Sequence, residues 1–408
     1  MNLQLFYKPN NFSGKISITG SKSESNRMLL LQAIYPNIKL KNISNSDDTN
    51  AIISALESKD EVIDIHHAGT AMRFLSAYFA FKPKSKIILT GSNRMQNRPI
   101  KILIDALRDL GAIINYIKLE GFPPIQIKGL IPKNNLVKLS ATTSSQYISA
   151  LMLVAPKLSE GLTIELSGKI SSLPYIKMTE SLLKNIGVKV EFQNRKIIVS
   201  NKKFVIDQTL TIESDWSSAS YFYSIAALSK KSIITLNSYN KNSLQGDSCL
   251  LDIFLKLGVS SEFKKNSLII KKISNFKYPK LISLDLINSP DLAQTIAVTC
   301  FGLGIDCELF GLHTLKIKET DRLNAIKNEL TKLGADVNVT NESIHIKSSK
   351  MVNANIKIST YEDHRMAMAF APLAIKTPLL IEDASVVNKS YPSFWNDIEK
   401  IGFQNFQI

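Results

Sequence analysis

Four charged side chains fall within the five residues Lys318-Glu319-Thr320-Asp321-Arg322. An Arg fork grips a carboxylate or phosphate at two points, a Lys supplies a point charge, and an acid between them can take or give a proton. The run that follows says where these groups stand. Leu323, Ile326, Leu330 and Leu333 recur at helical spacing, and Gly334 ends the pattern. The charges therefore lie at or near a helix N-terminus, where free N–H groups and a partial positive charge suit an anion. A charged helix start is common and needs no ligand by itself. What sets this chain apart is how often the same chemistry returns.

Gly20-Ser21-Lys22-Ser23-Glu24-Ser25-Asn26-Arg27 follows a strand-like segment at 15–19 and opens a helical run at 28–35. Serines cap helices, but a cap needs neither Lys22, expected just before the helix, nor Arg27, expected one turn in. His67-Ala68-Gly69-Thr70-Ala71-Met72-Arg73 repeats the pattern, with Gly69 letting a backbone N–H approach a ligand and Arg73 one turn later. The loop at 90–100 exposes Arg94 and Arg98, and Pro99 fits a first helical turn; Arg98 reads as solvated charge. Thr142-Thr143-Ser144-Ser145-Gln146 puts four hydroxyls and an amide at the mouth of an apolar helix at 147–155. Ser171-Ser172-Leu173-Pro174-Tyr175 is a Pro-fixed turn with a further hydroxyl.

Asp215-Trp216-Ser217-Ser218 reads as structural, an Asp or Ser cap with Trp216 and Tyr221 packing. Asn288-Ser289-Pro290-Asp291 starts a helix through Cys300, with Asp291 well placed in the dipole of its first turn. His364 and Arg365 start a small-residue helix, and Lys389 lies in a loop before the terminal helix. If repeated modules point these helix ends inward, the result is a cleft rich in N–H groups, Arg and Lys. Such a cleft suits small molecules bearing several phosphates and carboxylates, and the isolated acids Asp291 and Glu319 could move protons in its cationic field.

The elements that must position these residues repeat. Leu107-Arg108-Asp109-Leu110-Gly111 ends a helix and leads into a strand-like run. The same apolar-x-x-apolar-Gly ending recurs at Gly187, Gly258, Gly334 and Gly402, so the five glycines lie 76, 71, 76 and 68 residues apart. A weaker sixth copy ends near Leu56, before Val62-Ile63. Units of this size are too long for a solenoid and suit a βα-rich module repeated and shared between two similar domains. At 408 residues, two domains are expected in any case.

Composition excludes other classes. Hydrophobic content of 44% rules out a disordered chain, and no apolar run nears the ~18 residues that cross a membrane. The first ten residues carry one Lys and no apolar segment, so the chain reads as cytoplasmic. Cys249, Cys300 and Cys307 make no Cys-x-x-Cys pair, and the five His show no His-Glu-x-x-His spacing, so neither a disulfide framework nor a metal is expected. The net charge of +15 calls for acidic partners. Much of the excess is in pairs such as Lys202-Lys203, Lys230-Lys231, Lys264-Lys265 and Lys271-Lys272, expected on solvated loops. With no long basic block, nucleic acid is not expected as a partner. There is no Walker loop and no nucleophile elbow.

Together the blocks Gly20 through Arg27, Ala68-Gly69-Thr70-Ala71-Met72-Arg73, Lys318-Glu319-Thr320-Asp321-Arg322 and Asp363-His364-Arg365-Met366-Ala367 resemble the 5-enolpyruvylshikimate-3-phosphate synthases, in order from about residue 14 to 395. The resemblance implies an α/β fold of six βαβαββ units in two domains, an inside-out α/β barrel closing over substrate. Residues 1–20 plus 214–408 would form one domain and 21–213 the other, with the active site in the cleft between them. The implied reaction joins phosphoenolpyruvate to the 5-hydroxyl of shikimate 3-phosphate through a tetrahedral ketal and releases inorganic phosphate, with no metal or organic cofactor. It serves chorismate and aromatic amino-acid biosynthesis.

By resemblance, Lys22, Gly69, Arg94, Gln146, Arg322, Arg365 and Lys389 hold phosphoenolpyruvate. Ser23, Arg27, Ser144, Ser145, Gln146, Ser172, Asp291, Lys318 and again Lys22 hold shikimate 3-phosphate. Asp291 takes the 5-hydroxyl proton, and Glu319 with Lys22 handles protons at C3. Domain closure excludes water and brings Arg322, Arg365 and Lys389 onto the ligand. A monomer is expected, with glyphosate as an inhibitor and no membrane or nucleic-acid partner. His67, Phe74 and Leu173 depart from the usual Asn, Pro and Lys of the family. None removes a charged contact, but His67 and Phe74 bear on ligand geometry near Gly69 and so on glyphosate sensitivity. The sister enzymes that act on a UDP-linked N-acetylglucosamine usually carry a Cys in the loop matching 94–99; here all three Cys lie beyond residue 248.

Overall fold

Gly111, Gly187, Gly258, Gly334 and Gly402 all take positive φ, between 78° and 101°, a region that side chains other than glycine's resist. Each turns the chain from a helix into a strand: Ile113–Tyr116, Val190–Gln193, Val259–Lys264, Asp336–Val339 and Phe403–Gln407. The structure is a computed structural model that describes residues 1–8, 12–132, 134–140, 144–168, 170, 172–349 and 351–408.

Among the described residues, five sheets are wired alike. Val62–Asp64 runs parallel to Lys86–Thr90, which pairs antiparallel with Ile125–Lys128, which pairs antiparallel with Ile113–Tyr116. The order recurs in Leu136–Ser140, Leu162–Ser167, Lys196–Val199 and Val190–Gln193. It recurs again in Leu281–Asp285, Asp306–Phe310, Ile344–Lys347 and Asp336–Val339. Phe12–Ile16, Ser232–Asn237, Ser267–Lys272 and Val259–Lys264 repeat it once more. In the fifth sheet, Ile356–Ile358 and Leu379–Ile381 are followed by the N-terminal strand Leu3–Tyr7, which fills the third place before Phe403–Gln407. A sixth, two-stranded sheet pairs Ile38–Lys41 with Gln208–Thr211 in parallel.

The chain divides into two compact units, Met1–Gly20 with Glu213–Ile408, and Ser21–Ile212. Each contains enclosed helices, among them Gly69–Ala80 and Ser145–Val154 in the Ser21–Ile212 unit, and strands that show water one face. Trp216–Leu228 and Ala293–Leu303 are buried on nearly every side, as their almost uninterrupted apolar and small residues demand. Leu136–Ser140 and Lys86–Thr90 instead alternate between exposed and buried positions. A Cβ at Gly302 would lie 2.7 Å from methyl groups of Leu228 and Leu373, so glycine permits the close helix packing there. Among the described residues, no helix is long and apolar enough to cross a membrane.

Several boundaries differ from the sequence expectation. The first strand of the Gly20 block is Phe12–Ile16 rather than 15–19, because its pairing with Ser232–Asn237 ends at Ile16. Lys22 is the first helical residue rather than a pre-helical one, since Ser21 accepts the Glu24 N–H as cap. Lys389 closes a 3-10 turn, Ala384–Lys389, rather than sitting in a loop. Lys271 and Lys272 lie on a strand: Lys271 pairs with Glu262 at 2.8 Å, and Lys272 donates to the Ala227 carbonyl at 2.6 Å. Burial brings the Lys272 ammonium down to about 8.

Candidate active site

Helix Arg322–Lys332 begins as its sequence requires, with Asp321 accepting the Asn324 N–H. Arg322, its first residue, is only 1% exposed. Its Nε donates to Asp363 Oδ2 at 2.6 Å, its Nη1 to Asp291 Oδ1 at 2.9 Å and its Nη2 to Glu319 Oε2 at 2.8 Å. One guanidinium thus meets three carboxylates, which outweigh burial and hold it firmly protonated.

The other cations approach the same acids. Arg365, in the first turn of helix His364–Phe370, donates from Nη2 to Asp291 Oδ2 at 2.9 Å and from Nη1 to the Asp291 carbonyl at 3.3 Å. Lys318 Nζ stands 3.9 Å from Asp291 Oδ1, and Lys389 Nζ 3.7 Å from Glu319 Oε1. Burial alone would raise the Asp291 carboxyl, but Arg365, Lys318 and Arg322 together hold it well below the usual carboxylate range. Asp291 and Glu319 are therefore not the isolated acids that the sequence suggested. Each is enclosed by cations brought from turns far apart in the chain.

Helix starts also gather in the Ser21–Ile212 unit. Gly69 opens helix Gly69–Ala80, and Thr70 accepts from Gln146 Nε2 at 3.3 Å. Gln146 lies in the first turn of helix Ser145–Val154, which Ser144 caps. Lys22 pairs with Asp48 at 3.0 Å. Arg27, 2% exposed, donates to Thr179 Oγ1 at 2.7 Å, the Ser23 carbonyl at 2.7 Å and Ser149 Oγ at 3.2 Å. It thereby joins helices Lys22–Ile34, Ser145–Val154 and Leu173–Asn185, and burial lowers its guanidinium to about 10. Ser172 precedes the last of these helices at φ 52°, a left-handed conformation. Thr142, Thr143 and Ser171 lie outside the described residues.

Two arginines behave differently from the sequence reading. Arg73 points back into the protein, donating to the Gly69 carbonyl at 3.2 Å and the Pro99 carbonyl at 3.0 Å. Arg98, read as solvated charge, lies against Gly69 instead: a Cβ there would sit 2.4 Å from its Nη1. The absent side chain is what lets the guanidinium reach the helix start. Arg94 stands exposed in the short helix Asn93–Gln96. His67 meets Ser92 Oγ through Nδ1 at 2.8 Å.

Sequence reasoning also passed over Asp48 and Asp247. Asp48 follows the cap Ser46 at the start of helix Asp47–Glu57. Asp247 is buried in the 3-10 turn Gly246–Cys249 and accepts from Ser217, whose helix start was read as structural. That start does carry its structural features, an Asp215 cap and a buried Trp216 and Tyr221. The neglected acids share the helix-mouth signature but lack an adjacent cation in sequence, which is why they did not stand out.

The sequence pattern of the EPSP synthase (3-phosphoshikimate 1-carboxyvinyltransferase) family matches residues 51–398. The chain belongs to that family. It is 44% identical over 403 residues to a 3-phosphoshikimate 1-carboxyvinyltransferase of Bacteroides fragilis (strain YCH46), covering 98% of each chain. It is 35% identical to the enzyme of the same name from Haemophilus influenzae (strain PittGG), covering 96% of this chain and 97% of the relative. The fold is that of an EPSP synthase from Acinetobacter baumannii, with TM-score 0.79 at 20% identity over the whole of both chains. It is also that of the enolpyruvyl transferase NikO from Streptomyces tendae, with TM-score 0.75 at 11% identity, covering 100% of this chain and 99% of the other.

Proposed function

We propose that the carboxylate–arginine cluster around Asp291 is the chemical half of the site, and that the helix starts of the Ser21–Ile212 unit supply much of the binding half. The chain is a transferase of aromatic amino-acid biosynthesis. It moves the enolpyruvyl group of phosphoenolpyruvate to the 5-hydroxyl of shikimate 3-phosphate and releases inorganic phosphate.

In this reading Arg322, Arg365 and Lys389 take the anionic groups of phosphoenolpyruvate, together with Lys22, Gly69, Gln146 and Arg94. Arg98 joins them because it lies against Gly69. Ser23, Arg27, Ser144, Ser145, Gln146 and Ser172 hold shikimate 3-phosphate with Lys22, Lys318 and Asp291. The 5-hydroxyl oxygen adds to C2 of the enol, its proton passes to Asp291, and C3 gains a proton from Glu319 or Lys22. Loss of a C3 proton then expels phosphate from the tetrahedral ketal.

One observation carries the chemistry: Arg365 and Arg322 each donate to Asp291 at 2.9 Å with Lys318 Nζ 3.9 Å away, which favours its ionised form. An acid so stabilised is a poor base until the cations are engaged elsewhere. When the ligand's phosphate and carboxylate take Arg365 and Arg322, Asp291 loses its partners and its basicity rises toward that of an ordinary carboxylate. Proton abstraction is thereby tied to a filled site. We place the reaction in the cytoplasm, carried out by a monomer, with glyphosate competing for the phosphoenolpyruvate anion site. The test is phosphate release, which must require phosphoenolpyruvate and shikimate 3-phosphate together. Release with a UDP-linked N-acetylglucosamine, and none with shikimate 3-phosphate, overturns the reading.

A further inference from the structure

Asp247 is a buried acid, 5% exposed, to which the reaction above gives no task. It sits beside the cluster rather than in it. Its Oδ2 accepts the Ser217 hydroxyl, and Ser217 Oγ in turn accepts from Arg365 Nη2 at 3.4 Å. The same Nη2 meets Asp291 Oδ2 at 2.9 Å. A hydroxyl has a single hydrogen, so giving it to Asp247 turns the oxygen lone pairs toward Arg365. The chain of donors therefore runs one way, from Arg365 through Ser217 to Asp247.

We propose that Asp247 is a positioning residue that acts through Ser217 to orient Arg365, and that its ionisation competes with phosphoenolpyruvate for the charge of that arginine. The proposal rests on the reading that Arg365 holds phosphoenolpyruvate. The groups facing Asp247 come from four elements. Asp291 comes from the turn Pro290–Leu292, Arg365 from His364–Phe370, Asp215 and Ser217 from the start of Trp216–Leu228, and Cys249 from its own turn. Burial and the Asp291 charge push the Asp247 carboxyl up, Arg365 and Ser217 oppose them, and it comes to about 7. Below neutrality Asp247 adds no negative charge to that of Asp291 beside Arg365. Above it Asp247 adds a second negative charge there, and an incoming carboxylate must displace more negative charge.

The experiment compares KM for phosphoenolpyruvate from pH 6 to pH 8.5 in the wild-type chain, Asp247→Asn and Ser217→Ala. Titration of the ligand's own phosphate is common to all three and cancels in the comparison. Wild-type KM is expected to rise several-fold more across this range than that of Asp247→Asn, which keeps an acceptor for Ser217 but cannot ionise. Equal rises overturn the proposal, whereas a purely structural role would change stability and both substrates' KM without altering the pH slope. Should Asp247→Asn not fold, Ser217→Ala decides: it should raise KM for phosphoenolpyruvate several-fold and spare that for shikimate 3-phosphate. An unchanged value for both overturns the relay. Arg365→Lys with an unaltered KM at every pH would sink the assignment of Arg365 itself, and the proposal with it.

Discussion

The two units hold their buried arginines differently. In the unit containing residues 213–408, Arg322 and Arg365 are matched by Asp291, Glu319 and Asp363. In the Ser21–Ile212 unit, Arg27 and Arg73 are held mainly by hydroxyls and backbone carbonyls. A guanidinium among neutral acceptors is oriented in advance, and its removal strands those acceptors. One inside a carboxylate cluster must exchange partners before it grips an anion, and the exchange alters the acids it leaves. The first arrangement is a fixed one, and what it holds together is chiefly the fold. The second is responsive, and is the better place for proton transfer.

The contrast can be broken in four ways. Asp291→Ala should lower kcat by about 100- to 10,000-fold, the usual span for a general base, with shikimate 3-phosphate still bound in calorimetry. Turnover near wild type removes Asp291 from the proton path. Arg27→Ala should act chiefly on the fold, because it strands several buried acceptors; a loss of about 3 kcal/mol is expected in urea unfolding. A stable variant with only weakened substrate binding would erase the distinction between the units.

Next in size, Arg98→Ala should raise KM for phosphoenolpyruvate by about tenfold, the scale of one charge-assisted contact, and more than Arg94→Ala does. The reverse order would mean that contact with Gly69 does not mark the functional arginine. The smallest effect is on pH-dependent stability. The depressed Asp291 stabilises the fold above about pH 4, where its unfolded counterpart ionises, and that contribution is lost as pH falls. The raised Asp247 works oppositely: the native state keeps a proton that the unfolded chain releases, so stability declines as pH rises from about 4 to about 7. Denaturation midpoints at pH 5 and 7 should therefore fall further in wild type than in Asp247→Asn.

Much of the fold was legible because it depends on local rules written several times. A helix ending in an apolar residue and a glycine needs no distant partner to be recognised, and five such endings revealed the module. Helix starts were legible for the same reason: Ser21, Ser144, Asp321 and Asp363 all cap as their side chains allow. What was not legible is which charges meet. Arg322 finds Asp363 41 residues away, and Arg365 finds Asp291 74 residues away. Lys22 finds Asp48 across 26. Such pairings follow from how modules pack, and spacing along the chain carries no record of it. Arg73 and Arg98 illustrate the limit: both follow Gly69, and the nearer one in sequence turns inward.

The position of Leu3–Tyr7 has a consequence for how the molecule is made. Leu3 pairs with Gln407 on one side and Ile381 on the other, so this strand must wait until residue 407 has been made before its sheet is complete. At ordinary elongation rates that wait is roughly 20–80 s. Residues 21–212 are contiguous and can fold while synthesis continues, whereas the other unit can close only once Phe403–Gln407 has been made. The acids and arginines around Asp291 thus belong to the unit whose sheets are completed later.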